Sequence, residues 1–116
     1  MPQEDCRFCQ IQSGEAHGDI VYQDDRVTAF NDINPVAPVH ILIIPNQHIS
    51  SVNDLGPEHE VLAGHMLLTA SRLAEEEGIA DSGYRLIINT GSHGGQVIYH
   101  LHMHLIGGHR MRHPMG

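Results

Sequence analysis

The chain has 116 residues, 41% of them hydrophobic, with 6 Lys and Arg against 14 Asp and Glu and a formal net charge of -8. That length suits a single domain spanning residues 1–116 that buries its own core, and no apolar run approaches the roughly 20 residues of a membrane-spanning helix. The basic residues are scattered arginines without a stripe to neutralise phosphates, which argues against polymeric nucleic acid, and the acidic start has no apolar segment behind it, so a cytoplasmic protein with no membrane partner is expected.

In chain order, residues 6–13 predict a short helical turn closed by Gly14. Residues 20–23 and 26–31 read as strands joined at Asp24-Asp25, a hairpin turn. Asp32-Ile33-Asn34-Pro35 interrupts the pattern, and Pro38 interrupts it again. Residues 40–45, His-Ile-Leu-Ile-Ile-Pro, form an apolar run suited to a central strand that Pro45 would end. The main helix is expected from Pro57 to Glu77, with proline at its first position and Gly78 after its last. Within it Leu62, Met66, Ala70 and Leu73 recur at helical spacing. Glu75, Glu76 and Glu77 read as a solvated acidic face. Asp81-Ser82-Gly83 is a turn, residues 84–89 alternate as a strand, and a last strand is expected from Gln96 to Gly107. Strands outnumber helices, which predicts an α+β fold: an antiparallel five-stranded sheet with one main helix and a short N-terminal helix, the helices on one face.

Residues 100–106 read His-Leu-His-Met-His-Leu-Ile. Side chains two apart share a face of a strand, about 7 Å from one to the next. His100, His102 and His104 therefore point one way, and Leu101, Met103 and Leu105 point into a core. A histidine-rich exposed strand face with no role is the bland and less favoured reading. Such imidazoles can also bind metal, move protons or attack an electrophile. The run follows Gly91-Ser92-His93-Gly94-Gly95, either a hairpin turn or a loop whose backbone N–H groups approach phosphate oxygens. Cys6 and Cys9 are too close to close a useful loop, and their spacing reads as metal or redox chemistry. His17, His59, His65, His93, His109 and His113 are most simply surface residues.

The run from Asn89 to Ile106, together with Phe30-Asn31-Asp32-Ile33-Asn34-Pro35, His40-Ile41-Leu42-Ile43-Ile44-Pro45 and Leu105-Ile106-Gly107-Gly108, resembles the histidine-triad superfamily, in particular its nucleotide-binding Hint branch. The resemblance implies hydrolysis of the P–N bond of purine nucleoside 5′-phosphoramidates, releasing AMP and an amine, without an organic cofactor. By this resemblance His102 attacks phosphorus, His104 contacts the phosphate or leaving group and helps deliver a proton, and His40 and His100 support them. Gly95, Gln96 and Val97 would meet the phosphate, Asn89 the phosphate or ribose, and Asp32 the ribose hydroxyls. Phe8, Phe30, Ile33 and Leu42 would form the slot for the base, although ordinary core is an equal reading for Leu42. Val97 stands where many relatives carry a hydroxyl, and the tail after Gly108 diverges. Some relatives bind zinc, which here would fall to Cys6, Cys9, His48 and His100 as a structural site. Related proteins are homodimers that continue the sheet across the pair. A dinucleoside polyphosphate hydrolase of the same superfamily and a non-enzymatic nucleotide-binding adaptor are the competing expectations.

Overall fold

The alternation of side chains along the two middle strands divides this molecule into a storage face and a working face. The computed structural model describes residues 5–115; residues 1–4 and Gly116 lie outside them. Helix α1 (Arg7–Ser13) is followed by β1 (Ile20–Gln23), β2 (Val27–Asn31) and β3 (Val39–Pro45). Two 3-10 turns then lead into α2 (Glu60–Glu76), and β4 (Tyr84–Ile87) and β5 (Met103–Gly107) follow. The strands form a five-stranded sheet in the order β1-β2-β3-β5-β4. Every neighbouring pair is antiparallel. This is the expected α+β sheet with β3 at its centre.

Ile41 and Ile43 of β3, Val27 and Ala29 of β2, and Met103 and Leu105 of β5 face α2, where they meet Met66, Ala70, Leu73 and Ala74. The helix side of this contact follows the i, i+4, i+7 spacing read from the sequence. Each fully buried Leu or Ile here contributes about 1.5–3 kcal/mol. The opposite face carries a second cluster of Phe8, Ile11, Phe30, Leu42 and Ile44. Phe8 and Ile11 belong to α1, so the two helices lie on opposite faces rather than together. Their separation leaves the second face only partly covered, and that gap becomes the site.

Element boundaries differ from the sequence reading by more than one residue at three places. The last strand is β5 alone, because residues 96–102 run outside the ladder. Its partner β3 ends at Pro45, which has no N–H to extend the pairing; Leu101 N–H turns instead to the Ile49 carbonyl at 2.7 Å. Strand β4 stops at Ile87 because the Asn89 side chain donates to the Gly94 carbonyl at 2.8 Å and closes a loop. The main helix opens as a 3-10 turn over Pro57–His59, where His59 Nδ1 accepts the Gly56 N–H at 2.9 Å.

Asp24 holds the first hairpin and ties it to α2. One carboxylate oxygen accepts the N–H groups of Arg26 and Val27 at 2.8 Å each. The other accepts Tyr22 Oη–H and His65 Nε2–H, both at 2.7 Å. Burial works against ionisation, but these hydrogen bonds outweigh it and hold Asp24 well below the usual carboxylate range. His65 and His59 are thus half-buried and engaged, not free surface histidines.

Leu73 is 2% exposed in the core between α2 and the sheet. Leu73→Ala is expected to lower unfolding stability by about 2–5 kcal/mol, measured by urea denaturation.

Candidate active site

On the face away from α2, the ladder sets His104 of β5 directly opposite Leu42 of β3, and Leu42 opposite Phe30 of β2. Helix α1 closes one side, with the Phe8 ring edge-on to Phe30 at 5.3 Å and to His102 at 5.2 Å. Between them lies a cleft of about 550 Å³ lined by Phe8, Phe30, Asp32, Ile33, Leu42, Asn89, Gly95, Val97, His102 and His104. That volume falls in the range of small-ligand sites. Ten of the expected site residues therefore converge on one cavity from six separate stretches of chain.

The triad keeps its alternation although only part of it is in a strand. Leu101, Met103 and Leu105 enter the core. The His102 and His104 rings stand 5.1 Å apart in the cleft. His100 is fully buried behind them and does not line it.

Backbone partners decide the tautomer of each ring, because an N–H only donates and a carbonyl only accepts. His102 Nδ1 lies 2.7 Å from the His100 carbonyl, so it carries the proton. Neutral His102 then has its lone pair on Nε2, at the cleft. The Val36 N–H donates to His40 Nδ1 at 3.1 Å, so neutral His40 is protonated on Nε2. That N–H donates to His104 Nδ1 at 2.9 Å, which leaves His104 with its proton on Nε2. The cleft thus receives a lone pair from one imidazole and an N–H from the next. His40 Nε2 also lies 3.3 Å from Asp32 Oδ2.

This chain of donors leaves no place for an additional proton. A proton on His104 Nδ1 would face the His40 Nε2–H, and one on His40 Nδ1 would face the Val36 N–H. The electrostatics agree. Burial pushes His104 down to about 4, the nearby His102 and His40 add to this, and Asp32 opposes it. Burial also lowers His40 against the pull of Asp32. His104 is consequently a neutral donor through Nε2–H. The ligand-like grouping of Asp32, His40 and His104 is explained by the same relay: with Val36 occupying Nδ1, His40 has no lone pair on Nε2 for a metal.

The glycine loop is rigidly built. A Cβ on Gly94 would collide with the Thr90 carbonyl, and Gly95 has φ +83°. Gln96 was expected at the phosphate, but it braces this loop from behind. Its carboxamide oxygen accepts the Gly91 N–H at 3.0 Å, and its NH₂ donates to the carbonyls of Ser50 at 2.8 Å and Ile98 at 3.1 Å. Its own N–H donates to the Gly91 carbonyl at 3.0 Å. Gln96 is buried outside the cleft because every polar atom of its side chain finds a partner within the loop and its neighbours. Val97, in contrast, is 86% exposed at the mouth.

A second constellation lies behind the triad. Cys6 Sγ is 3.3 Å from His100 Nδ1, and Cys9 Sγ is 3.4 Å from His48 Nδ1 and 3.5 Å from His100 Nδ1. All four ligand atoms lie within 4.8 Å of one another. A tetrahedron with Zn–S near 2.3 Å and Zn–N near 2.0–2.1 Å has mixed edges of about 3.5 Å. His100 Nε2–H donates to the Pro45 carbonyl at 2.8 Å, which leaves Nδ1 as a lone pair aimed at the thiols. Burial lowers His100 to about 4, the Pro45 hydrogen bond opposes this, and His48 and His102 add to it. The ring is neutral, as ligation requires. The group fits a metal ion.

Sequence reasoning missed Arg7, Ile11, His17, Asp19 and Asn31, which also line the cleft. His17 sits on its rim, not on a featureless surface. Ile11 carried a signal, since it follows Phe8 at helical spacing. The carbonyls of Pro45 and His100 and the N–H of Val36 carried none, because backbone groups are alike in every residue.

A family model described as HIT domain matches residues 13–111. The purine nucleoside phosphoramidase of Escherichia coli K12 is 59% identical over 105 residues, 90% of this chain and 88% of that protein. A HIT family hydrolase from Legionella pneumophila Philadelphia 1 superposes with a TM-score of 0.94 at 45% identity, covering 97% of this chain and 100% of its own. A histidine triad protein from Clostridium difficile gives 0.95 at 42% identity, covering 99% and 100%.

The unfolded chain protonates His104 near the ordinary value of 6.5, whereas the folded protein resists until about 4. Between these values the unfolded state binds more protons, so stability rises with pH across the window and falls as pH drops through it. Melting temperatures taken from pH 7 to pH 4 should decline, and His104→Gln should flatten the decline.

Proposed function

The chain belongs to the HIT family, and from that premise we propose that it is a phosphoramidase that hydrolyses the P–N bond of purine nucleoside 5′-phosphoramidates, aminoacyl-adenylate-like compounds among them, within a single domain. One observation carries this reading: a lone pair on His102 and an N–H on His104 face the same cleft, the first set by the His100 carbonyl and the second by His40, which the Val36 N–H sets in turn. The similarity to a protein named purine nucleoside phosphoramidase supports it.

The base lies between Phe8, Phe30, Ile33 and Leu42, and the ribose hydroxyls donate to Asp32. His102 Nε2 attacks phosphorus, the P–N bond breaks, and the amine leaves with a proton drawn from solvent at the open mouth. Positive charge on the nucleotidyl imidazole is eased by Nδ1–H donating to the His100 carbonyl. Water then attacks phosphorus, returns a proton to solvent and frees AMP and the Nε2 lone pair. His104 Nε2–H donates to a phosphoryl oxygen as charge builds there. A covalent intermediate divides one difficult displacement into two easier ones. Asn89 and the backbone near Gly95 and Val97 border the phosphate. With valine at 97 no hydroxyl reaches it, leaving the contact to the main chain.

Cys6, Cys9, His48 and His100 hold a zinc ion in this reading, whose role when bound is structural cross-linking. Two thiols kept for a metal suit the reducing cytoplasm. No described helix is long and apolar enough to cross a membrane. The ligand is a mononucleotide unit rather than a polymer, consistent with the net charge of -8.

The partner is a second copy of this chain. The outer side of α2 exposes Val61 at 65% and Leu68 at 71%, two turns apart, and β4 is an edge strand with an unpaired side. Leu68→Asp is expected to shift the protein from dimer to monomer in sedimentation analysis, and a wild-type monomer would overturn the pairing.

Activity is tested with adenosine 5′-phosphoramidate and diadenosine tetraphosphate. AMP release from the first should dominate, and His102→Ala should lose about 10³-fold or more in kcat while its circular dichroism is unchanged. Preference for the polyphosphate would point to the related hydrolase class. AMP binding without turnover would point to a non-enzymatic binder.

A further inference from the structure

We propose that the Cys6–Cys9–His48–His100 cluster positions the nucleotide: it holds Phe8 in place and so sets how tightly the purine is bound, while leaving the chemistry of His102 intact. The proposal rests on the reading of this cluster as a metal site.

The argument begins with α1. It has seven residues, fewer than a helix needs to persist in water by itself. Its C-terminal turn is held by Gln23 Nε2 donating to the Gln12 carbonyl at 2.9 Å. Its N-terminal turn is held by Cys6, the N-cap, whose sulfur accepts the Cys9 N–H at 3.4 Å. The two thiols in turn meet His100 and His48, which sit on other parts of the chain.

Phe8 lies between the two cysteines in sequence and forms a wall of the cleft. Its ring is edge-on to Phe30, His102 and, at 6.0 Å, His100. A cross-link through Cys6 and Cys9 therefore fixes the backbone on both sides of that ring. Releasing it frees the first turn of α1, and the wall must then be ordered each time a nucleotide binds.

The nucleophile is insulated from this change. The tautomer of His102 depends on the His100 carbonyl, a main-chain group. The His100 ring keeps its second anchor on the Pro45 carbonyl when the thiols let go. Loss of the cluster should consequently appear in KM and in AMP affinity, not in kcat.

The test compares wild type, Cys6→Ser/Cys9→Ser and His48→Ala, with chelator-treated wild type as the form that carries no substitution. Zinc per chain is measured by plasma mass spectrometry, AMP affinity by calorimetry, and kcat and KM with adenosine 5′-phosphoramidate. Wild type should hold about one zinc. Its removal by any route should weaken AMP binding and raise KM about tenfold, the scale of one aromatic contact, with kcat within about twofold. In a Phe8→Leu background the cysteine substitutions should add no further loss, since both act through the same wall. Zinc loss with unchanged AMP affinity overturns the proposal alone, as does a fall in kcat at constant KM. Wild type that takes up no zinc overturns the metal reading, and the proposal with it.

Discussion

A main-chain N–H can only donate, and a main-chain carbonyl can only accept. The chemistry of this site depends on that asymmetry. An isolated imidazole is free to carry its proton on either nitrogen. Here Val36 N–H settles His40, His40 settles His104, and the His100 carbonyl settles His102. Two chemically identical side chains thereby present opposite faces to one cleft, a lone pair and an N–H. Burial holds His40 and His104 against protonation, so the hydrogen bond between them keeps its sense.

The sheet provides the second constraint. In β3, Ile41 and Ile43 stabilise the fold against α2, while His40 and Leu42 serve the site. In β5, Met103 and Leu105 do the first and His104 the second. Stability and chemistry are interleaved residue by residue, and a slip of one position would exchange them. The same alternation continues through Leu101 and His102 after the ladder has ended, because Leu101 is still drawn into the core. Behind His102 and His104, His100 serves two structures at once. Its carbonyl accepts from His102 Nδ1–H, and its ring lies beside Cys6 and Cys9 at the start of α1.

Much of this was legible in the residue order. Apolar alternation around the three histidines, the run from His40 to Pro45, and helical spacing from Leu62 to Leu73 are local patterns that burial enforces. They located five strands, two helices and the two triad histidines of the cleft, while the resemblance supplied the other eight cleft residues. Cys6 and Cys9 signalled half of a four-residue cluster, and the resemblance supplied His48 and His100, which the structure brings within reach. The loop contacts of the Gln96 side chain could not be read from the residue order, because a carboxamide can serve a ligand or a loop equally well and only its neighbours decide. The strand expected from Gln96 was too long because its partner's proline, far away in sequence, sets where the ladder stops.

By itself, then, the sequence determined which side chains are buried, which share a face, and which chemistry they can perform. Those properties follow from side-chain character and from the period of a strand or helix. The tertiary structure alone decided which helix covers which face, which nitrogen of each imidazole carries the proton, and that the cysteines stand next to His100 and His48. These depend on backbone groups and long-range contacts. Every residue has the same amide and carbonyl, so their partners become distinct only once the chain has folded.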